Sequence, residues 1–257
     1  MNVRKKVCIG ILLLIAWLCL LGICWYLISG WMNRQGITEL TEMVEQAENA
    51  VTYSNGSALA QAYESLRQRN PDFGGWLAID GTRVNYPVMH TPEEPEKYLR
   101  KNFDGAYSMM GLPFLYAGCN WDASANLIVY GHNMQSGDMF AGLMQYLDEE
   151  YGKAHPLIQL DTPGDRRVYH VMAVIPFEIT AENENTYYQC SDISDKEEFS
   201  AYVEFLKKNS VYDTGVTAAW GEQLLTLSTC SDYTAGPGRL LVVGRLESKG
   251  PYEQSKA

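Results

Sequence analysis

The run Thr226-Leu227-Ser228-Thr229-Cys230 carries a thiol to the end of a β-like stretch, just ahead of a polar turn containing Ser231 and Asp232. A strand end beside a loop exposes a side chain while the scaffold still holds it, which suits a nucleophile. The competing reading is a buried structural cysteine, since free cysteine is among the most buried residue types. Arg239 follows nine residues later, beyond Gly236-Pro237-Gly238, and opens the run Leu240-Leu241-Val242-Val243. If the turn between them closes a hairpin, Arg239 lies beside Cys230, where a guanidinium favours a thiolate or holds the oxyanion of a tetrahedral intermediate. Otherwise it is a solvated charge at a strand end. Of the four histidines, His132 lies just past the run Leu127-Ile128-Val129-Tyr130 and next to Gly131, which permits a sharp turn. His90 precedes Thr91-Pro92, His155 precedes Pro156 and His170 falls within a β-like run, so these read as loop or packing residues. A Cys-His pair supplies a nucleophile and an acid/base for acyl transfer. HExxH, CxxC and paired-His spacings are absent from the sequence, so no metal or other cofactor is expected. There is likewise no GxSxG elbow and no glycine loop of the phosphate-binding kind.

The elements that must position these residues are mainly β. Short apolar runs at 76–79, 84–88, 113–115, 127–130, 157–160, 168–175, 224–227 and 240–246 are separated by turn residues. The first two flank Asp80-Gly81 and read as a hairpin. About eight strands over ~175 residues predict a barrel or sandwich. Residues 195–209 interrupt this pattern, with Phe199, Tyr202, Val203 and Leu206 at helical spacing inside the long connection before the strand at 224. Two helices are expected ahead of the strands. One spans 38–51 on Leu40, Met43, Val44, Ala47 and Val51; the other, on Leu59, Tyr63 and Leu66, begins at Ser57 and ends at Asn70-Pro71.

The N-terminus differs in kind. Residues 7–28 form an uncharged apolar run that as a helix spans roughly 33 Å, enough to cross a bilayer core. Arg4, Lys5 and Lys6 precede it and Arg34 is the next basic residue, so the positive-inside bias predicts a cytoplasmic N-terminus with the bulk outside. A cleaved signal peptide is the rival, but the run is long for one and no A-x-A-like site follows. Ile23 also spoils Leu21-Gly22-Ile23-Cys24 as a lipoprotein site. The expected organisation is therefore 1–6 cytoplasmic, 7–29 signal-anchor, 30–70 helical and 71–257 catalytic. The chain of 257 residues has 46% hydrophobic and 20% charged residues, an ordinary globular composition. Its net charge of −11 argues against a nucleic-acid partner, which requires a basic face. Three cysteines, Cys119, Cys190 and Cys230, fall outside the anchor; an odd number leaves at least one thiol unpaired or paired with another molecule.

Taken together, these residues resemble the sortases, membrane-anchored cysteine transpeptidases of Gram-positive bacteria, and most closely class B. The resemblance runs from Asn70 to Leu246. It rests on Asn70-Pro71-Asp72-Phe73 with Gly75-Trp76-Leu77, Ile79-Asp80-Gly81-Thr82, Asn85-Tyr86-Pro87-Val88, and Tyr98-Leu99 with Asn102-Phe103 and Gly105. Tyr130-Gly131-His132-Asn133-Met134, Met139-Phe140 and Leu227-Ser228-Thr229-Cys230 with Arg239 complete it. Gly111-Leu112-Pro113-Phe114-Leu115 departs from the Gly-Ser/Thr-Ile-Phe-Leu pattern of the family.

The resemblance implies an eight-stranded sortase barrel with two N-terminal helices and a helix in the long loop before the penultimate strand. It implies Cys230 as nucleophile, His132 as general acid/base and Arg239 as the group that holds the substrate carbonyl and its oxyanion. Asn85 and Met89 would line the groove floor, Ser228 its wall, and Tyr187 or Tyr188 the insertion side, with Thr229 and Tyr130 close to the site. Asp232 either orients His132 or solvates its loop. The implied reaction cleaves a C-terminal sorting signal after threonine through a thioester and passes the protein to an amine. That amine belongs to the peptidoglycan precursor lipid II or, in a pilin polymerase, to a lysine of another subunit. A cysteine peptidase or peptidoglycan hydrolase using water, and an anchored binding module with an incidental thiol, are the alternatives. Cys119 and Cys190 receive no role.

Overall fold

The computed structural model describes residues 3–54, 57–180, 191–233 and 236–252. Eight strands follow the predicted runs: β1 (Phe73–Ala78), β2 (Asn85–Met89), β3 (Phe114–Leu115), β4 (Asn126–Tyr130), β5 (Leu157–Asp161), β6 (Arg166–Glu178), β7 (Leu224–Cys230) and β8 (Gly238–Gly250). They close into a barrel in the order β1-β2-β3-β4-β7-β8-β6-β5, so no strand edge is left open. The expected hairpin joins β1 to β2, with Gly81 at φ +71 in the turn, a conformation that glycine enters without steric cost. Neighbours pair antiparallel except β2 with β3 and β4 with β7. A parallel pair cannot be joined by a tight turn. The connection from β4 to β7 accordingly carries, among the described residues, two further strands, a 3-10 helix and the helices α3 (Glu149–Ala154) and α4 (Lys196–Asn209). The predicted helix at 195–209 is α4: Asp195 caps it through Glu198 N, and Phe199, Val203 and Leu206 are buried against the barrel.

Two features differ from expectation. The apolar run and the helix predicted at 38–51 are one continuous helix, α1 (Val3–Ser54). No proline falls between them, and Gly30 and Gly36 cost only about 1 kcal/mol each, too little to break a helix supported on both sides. Among the described residues it is one helix long and apolar enough to cross a membrane. Its far half packs through the apolar positions at helical spacing: Leu40 and Val44 are buried against Leu59, Tyr63 and Leu66 of α2 (Ser57–Arg69) and against Phe73, Trp76 and Met89 of the barrel. The second unforeseen feature is a 3-10 helix, Phe140–Leu147, which runs into α3. Its buried residues Phe140, Leu143 and Tyr146 recur every third position, the period of a 3-10 helix rather than an α-helix.

A buried ionic knot ties the helices to the barrel. Asp161 of β5 is fully buried and accepts hydrogen bonds from Tyr63 of α2 (2.9 Å) and Arg166 of β6 (2.9 Å); Arg166 also reaches Glu48 of α1 at 2.8 Å. Burial pushes the Asp161 carboxyl above its ordinary range, against the opposing pull of Arg166. Removing one member of such a pair strands the other charge. Asp161→Ala is therefore expected to lower stability by about 3 kcal/mol, read by chemical denaturation of the full chain in detergent. A loss within experimental error would show that the knot contributes nothing to holding the helices.

Candidate active site

Parallel strands run in the same direction, so the C-terminal ends of β4 and β7 lie at the same end of the barrel. Their register includes Val129↔Leu227 and Tyr130↔Ser228, and the chain leaves β4 toward His132 at the same barrel end where β7 reaches Cys230. Beyond the last pair the two segments remain stitched together. Gly131 N donates to Ser228 O (3.1 Å), Thr229 Oγ1 donates to Gly131 O (2.8 Å), and Asn133 Nδ2 donates to Cys230 O (3.0 Å). On the other side of β7, the antiparallel register places Arg239 of β8 directly opposite Cys230. Residues opposed across a strand pair share a face. The sulfur thus sits on a strand whose two neighbours lead to an imidazole and a guanidinium.

Cys230 is half-buried and opens with Arg239, Ser228 and Thr229 onto a cleft of about 380 Å³. Tyr130 forms an aromatic wall with Phe114 (centroids 5.5 Å apart) and Tyr116 (6.4 Å), and Pro95 and Glu96 also line the cleft. Arg239 Nη1 donates to Gly236 O (2.7 Å) and Gly238 O (2.9 Å), which braces the guanidinium on its own hairpin loop.

His132 faces an adjoining cavity rather than this cleft. Its Nε2 lies 2.9 Å from Leu99 O; a carbonyl only accepts, so Nε2 carries hydrogen and Nδ1 holds the lone pair available for proton transfer. Burial pushes the imidazole below its ordinary value and Arg100 adds to that, while the bond to Leu99 works the other way. At neutral pH the resting imidazole is uncharged. Its loop is shaped by two close contacts. A Cβ on Gly131 would approach the buried Phe140 ring to 2.6 Å, which only glycine avoids. Met139 holds a φ of 56°, an uncommon backbone for a side chain, and is fully buried, with its N–H bonded to Tyr86 Oη at 3.0 Å.

The remaining residues singled out from sequence distribute unevenly. Ser228, Thr229 and Tyr130 line the cleft, though Thr229 spends its hydroxyl on Gly131. Met89 does not reach the groove floor: it is fully buried behind Phe114, its register partner on β3. Asn85 lies at the opposite end of β2, accepting from Trp76 Nε1 (2.6 Å) and donating to Glu45 of α1 (3.3 Å). The family resemblance assigned both to the groove floor, but it could not say which end or face of β2 meets the cleft. Asp232 is exposed on the turn after β7 and does not line the cleft. Tyr187, Tyr188 and Cys190 lie outside the described residues. Asn133 was visible in sequence only as the neighbour of His132; its bond to the Cys230 carbonyl is a long-range contact that no spacing rule discloses. Cys119 is buried, its Sγ 3.6 Å from Asn126 O, and burial pushes its thiol up to about 11. His90 packs edge-on to Trp121, His155 bonds Asp80 O at 2.9 Å and His170 lies 3.5 Å from Glu247, as packing and loop residues do.

A family model described as the sortase domain matches residues 77–247. The chain belongs to the sortase family. A sortase B of Listeria monocytogenes is 30% identical over 245 residues, covering 90% of this chain and 95% of the relative. The solved sortase B of B. anthracis in complex with AAEK1 superposes with a TM-score of 0.71 at 26% identity, over 86% of this chain and 98% of that one. A Staphylococcus aureus sortase B–substrate complex shares the fold with a TM-score of 0.75 at 23% identity, over 85% and 98%. This sortase is of class B, a cysteine transpeptidase, and its closed eight-stranded barrel with added helices is the architecture of that class.

Two measurements follow from the geometry. Cys230, half-exposed in the cleft, should be alkylated near neutral pH well before Cys119, which is buried and remains a thiol at that pH; peptide mapping after brief iodoacetamide treatment reads this, and equal labelling would contradict it. The His132 sortase resonance should titrate below the ordinary histidine value, and Arg100→Gln should move it upward, because removing a cation relieves the imidazolium. A downward or null shift by NMR would contradict the Arg100 contribution.

Proposed function

We propose that Cys230, His132 and Arg239 form the catalytic centre, and that this sortase cleaves a C-terminal sorting signal after threonine and passes the protein to an amine of a peptidoglycan precursor. The observation that carries this reading is the register that sets Cys230 opposite Arg239 on one side of β7, with the segment leading from β4 to His132 stitched to the end of β7 on the other. His132 first takes the Cys230 thiol proton at Nδ1; the thiolate attacks the threonine carbonyl, and the charge that develops on oxygen meets the Nε and Nη2 edge of Arg239 while Nη1 stays on the loop carbonyls. Protonated at Nδ1, His132 gives its proton to the departing amine as the C–N bond breaks, leaving a thioester and a neutral imidazole. The incoming amine then attacks the thioester, the C–S bond breaks, and His132 relays the amine proton to the sulfur. A neutral resting imidazole suits the second half, which requires a base, and burial of the ring supports that state.

In this reading residues 1–6 are cytoplasmic, 7–29 cross the membrane, 30–70 form a helical support and 71–257 the catalytic domain outside the cell. Sorting signals bind along the 380 Å³ cleft against the Tyr130, Phe114 and Tyr116 wall, with Ser228 beside the scissile residue. Incubating the full chain with a panel of sorting-signal peptides and triglycine, read by mass spectrometry, tests the proposal. A peptide joined to triglycine after its threonine is expected, and Cys230→Ala should abolish both this product and the thioester. Product formed by Cys230→Ala, or free acid alone in the presence of abundant amine, would overturn it.

A further inference from the structure

Residues 100–110 fold into a small closed knob that the proposed chemistry does not use. Lys101 and Tyr107 oppose each other in an isolated antiparallel bridge, and Gly105, at φ +80, turns the chain between them. Asn102 N donates to Ala106 O (2.8 Å), Gly105 N to Asn102 O (3.0 Å) and Ser108 N to Arg100 O (2.9 Å), while Asn102 Oδ1 accepts from Ala106 N (2.9 Å). Phe103 and Met110 are buried beneath it, so the knob is braced from below. Outward it presents Tyr107, 55% exposed, and Met109, 38% exposed. Residues opposed across a bridge share a face, which puts Lys101 beside Tyr107. Arg100 Nη1 donates to Met109 O at 2.8 Å, a neutral partner, and neither cation forms an ion pair among the described residues. The one carboxylate of the knob, Asp104, is turned to Arg69 of α2 at 2.8 Å. In a chain of net −11, the outer side of this knob is apolar and positive.

The height of the knob is set by α1. Trp25 stacks over Tyr107 with centroids 6.4 Å apart, Asn102 Nδ2 donates to Asn33 Oδ1 at 3.4 Å, and Arg34 pairs with Asp138 at 3.0 Å. The same stretch of α1 forms one wall of the cavity onto which His132 opens, with Arg100, Met109 and Met110 also lining it. Trp25 belongs to the apolar run, three residues short of its end at Ile28, which is about 4.5 Å along the helix axis. A ring stacked on Trp25 lies where hydrocarbon gives way to head groups, the layer in which tryptophan and tyrosine concentrate.

We propose that the knob at residues 100–110 is a second membrane contact: Tyr107 and Met109 enter the interfacial layer of the bilayer that α1 crosses, and Lys101 and Arg100 bind anionic lipid head groups. The inference rests on the reading of residues 7–29 as membrane-crossing and adds that the catalytic domain itself touches lipid. A phenol and a thioether beside two uncompensated cations match that layer, with acyl carbon for the apolar groups and phosphate for the charges. The knob is rigid before it meets the bilayer, so little ordering opposes the contact. Because it stands to one side of α1, it fixes the rotation of the barrel about the helix.

The test uses the full chain in vesicles of equal parts phosphatidylcholine and phosphatidylglycerol. Three versions carry the photo-crosslinker p-benzoylphenylalanine in place of Trp17, Tyr107 or Trp220. Trp17 lies in the middle of the apolar run; Trp220 is exposed and precedes the start of β7, at the barrel end opposite Cys230. After irradiation, mass spectrometry of the peptides reads lipid adducts. Adducts are expected at positions 17 and 107 and none at 220. The lipid captured at 107 should be enriched in phosphatidylglycerol, and Lys101→Gln should reduce that enrichment. Capture at 17 without capture at 107, equal capture at 107 and 220, or lipid proportions at 107 unchanged by Lys101→Gln would each overturn the proposal. Failure of the underlying reading is separately visible as the absence of any adduct at 17, and the proposal would fall with it.

Discussion

One register constraint underlies the site. β7 is flanked by a parallel neighbour on one side and an antiparallel neighbour on the other, and its last residue is Cys230. The parallel pairing brings a residue about a hundred positions upstream to the same barrel end, and the hairpin brings one nine positions downstream. A slip of one residue in either pairing would turn the sulfur to the other face of the strand. A buried polar contact opposes such a slip: Thr226 Oγ1 donates to Asn126 Oδ1 at 3.0 Å, both residues having almost no exposure. Moving the register would orphan both groups, at a cost of about 1–3 kcal/mol each. Asn133 and Thr229 extend the same restraint past the strand ends, where ladder bonds stop.

The second constraint is the stiffness of α1. A flexible linker would leave the barrel free to turn relative to the apolar run, but α1 continues as helix from that run into the packing beneath β1 and β2. Burial of Leu40 and Val44, the Glu48–Arg166–Asp161–Tyr63 knot and the Arg34–Asp138 pair fasten it at several heights. The exposed pair alone would contribute little; the buried contacts carry the energy. The end of the barrel that bears His132 is consequently presented beside the helix where it leaves its apolar stretch.

Much of this was legible in the sequence because the signals are local. Alternating apolar runs bounded by glycine, proline and asparagine located all eight strands, and the spacing of Phe199, Val203 and Leu206 located α4. Leu227-Ser228-Thr229-Cys230, Tyr130-Gly131-His132 and Arg239 marked the residues of the candidate site through their chemistry and family likeness. What escaped depends on tertiary contact. The fusion of the apolar run and the second predicted helix into one is decided by what the stretch near Gly30 and Gly36 packs against, and the 3-10 helix at Phe140 by a period that amphipathic α-helix templates do not score. Met89 and Asn85 share β2, yet one is core and the other meets α1, a distinction set by barrel curvature. The cavity shared by His132 and α1 joins segments a hundred residues apart and has no sequence signature.

The central claim is that three side chains from separate strands and loops act on one carbonyl. The most direct measurement is a crystal structure of the sortase after inactivation by a sorting-signal peptide with a thiol-reactive carbonyl in place of the scissile amide. The account predicts a covalent bond to Cys230 Sγ, the former carbonyl oxygen within ~3 Å of the Arg239 guanidinium, and His132 Nδ1 facing the leaving-group side. A peptide attached to another thiol, or an oxygen pointing away from Arg239 with His132 still turned from the sulfur, would contradict it.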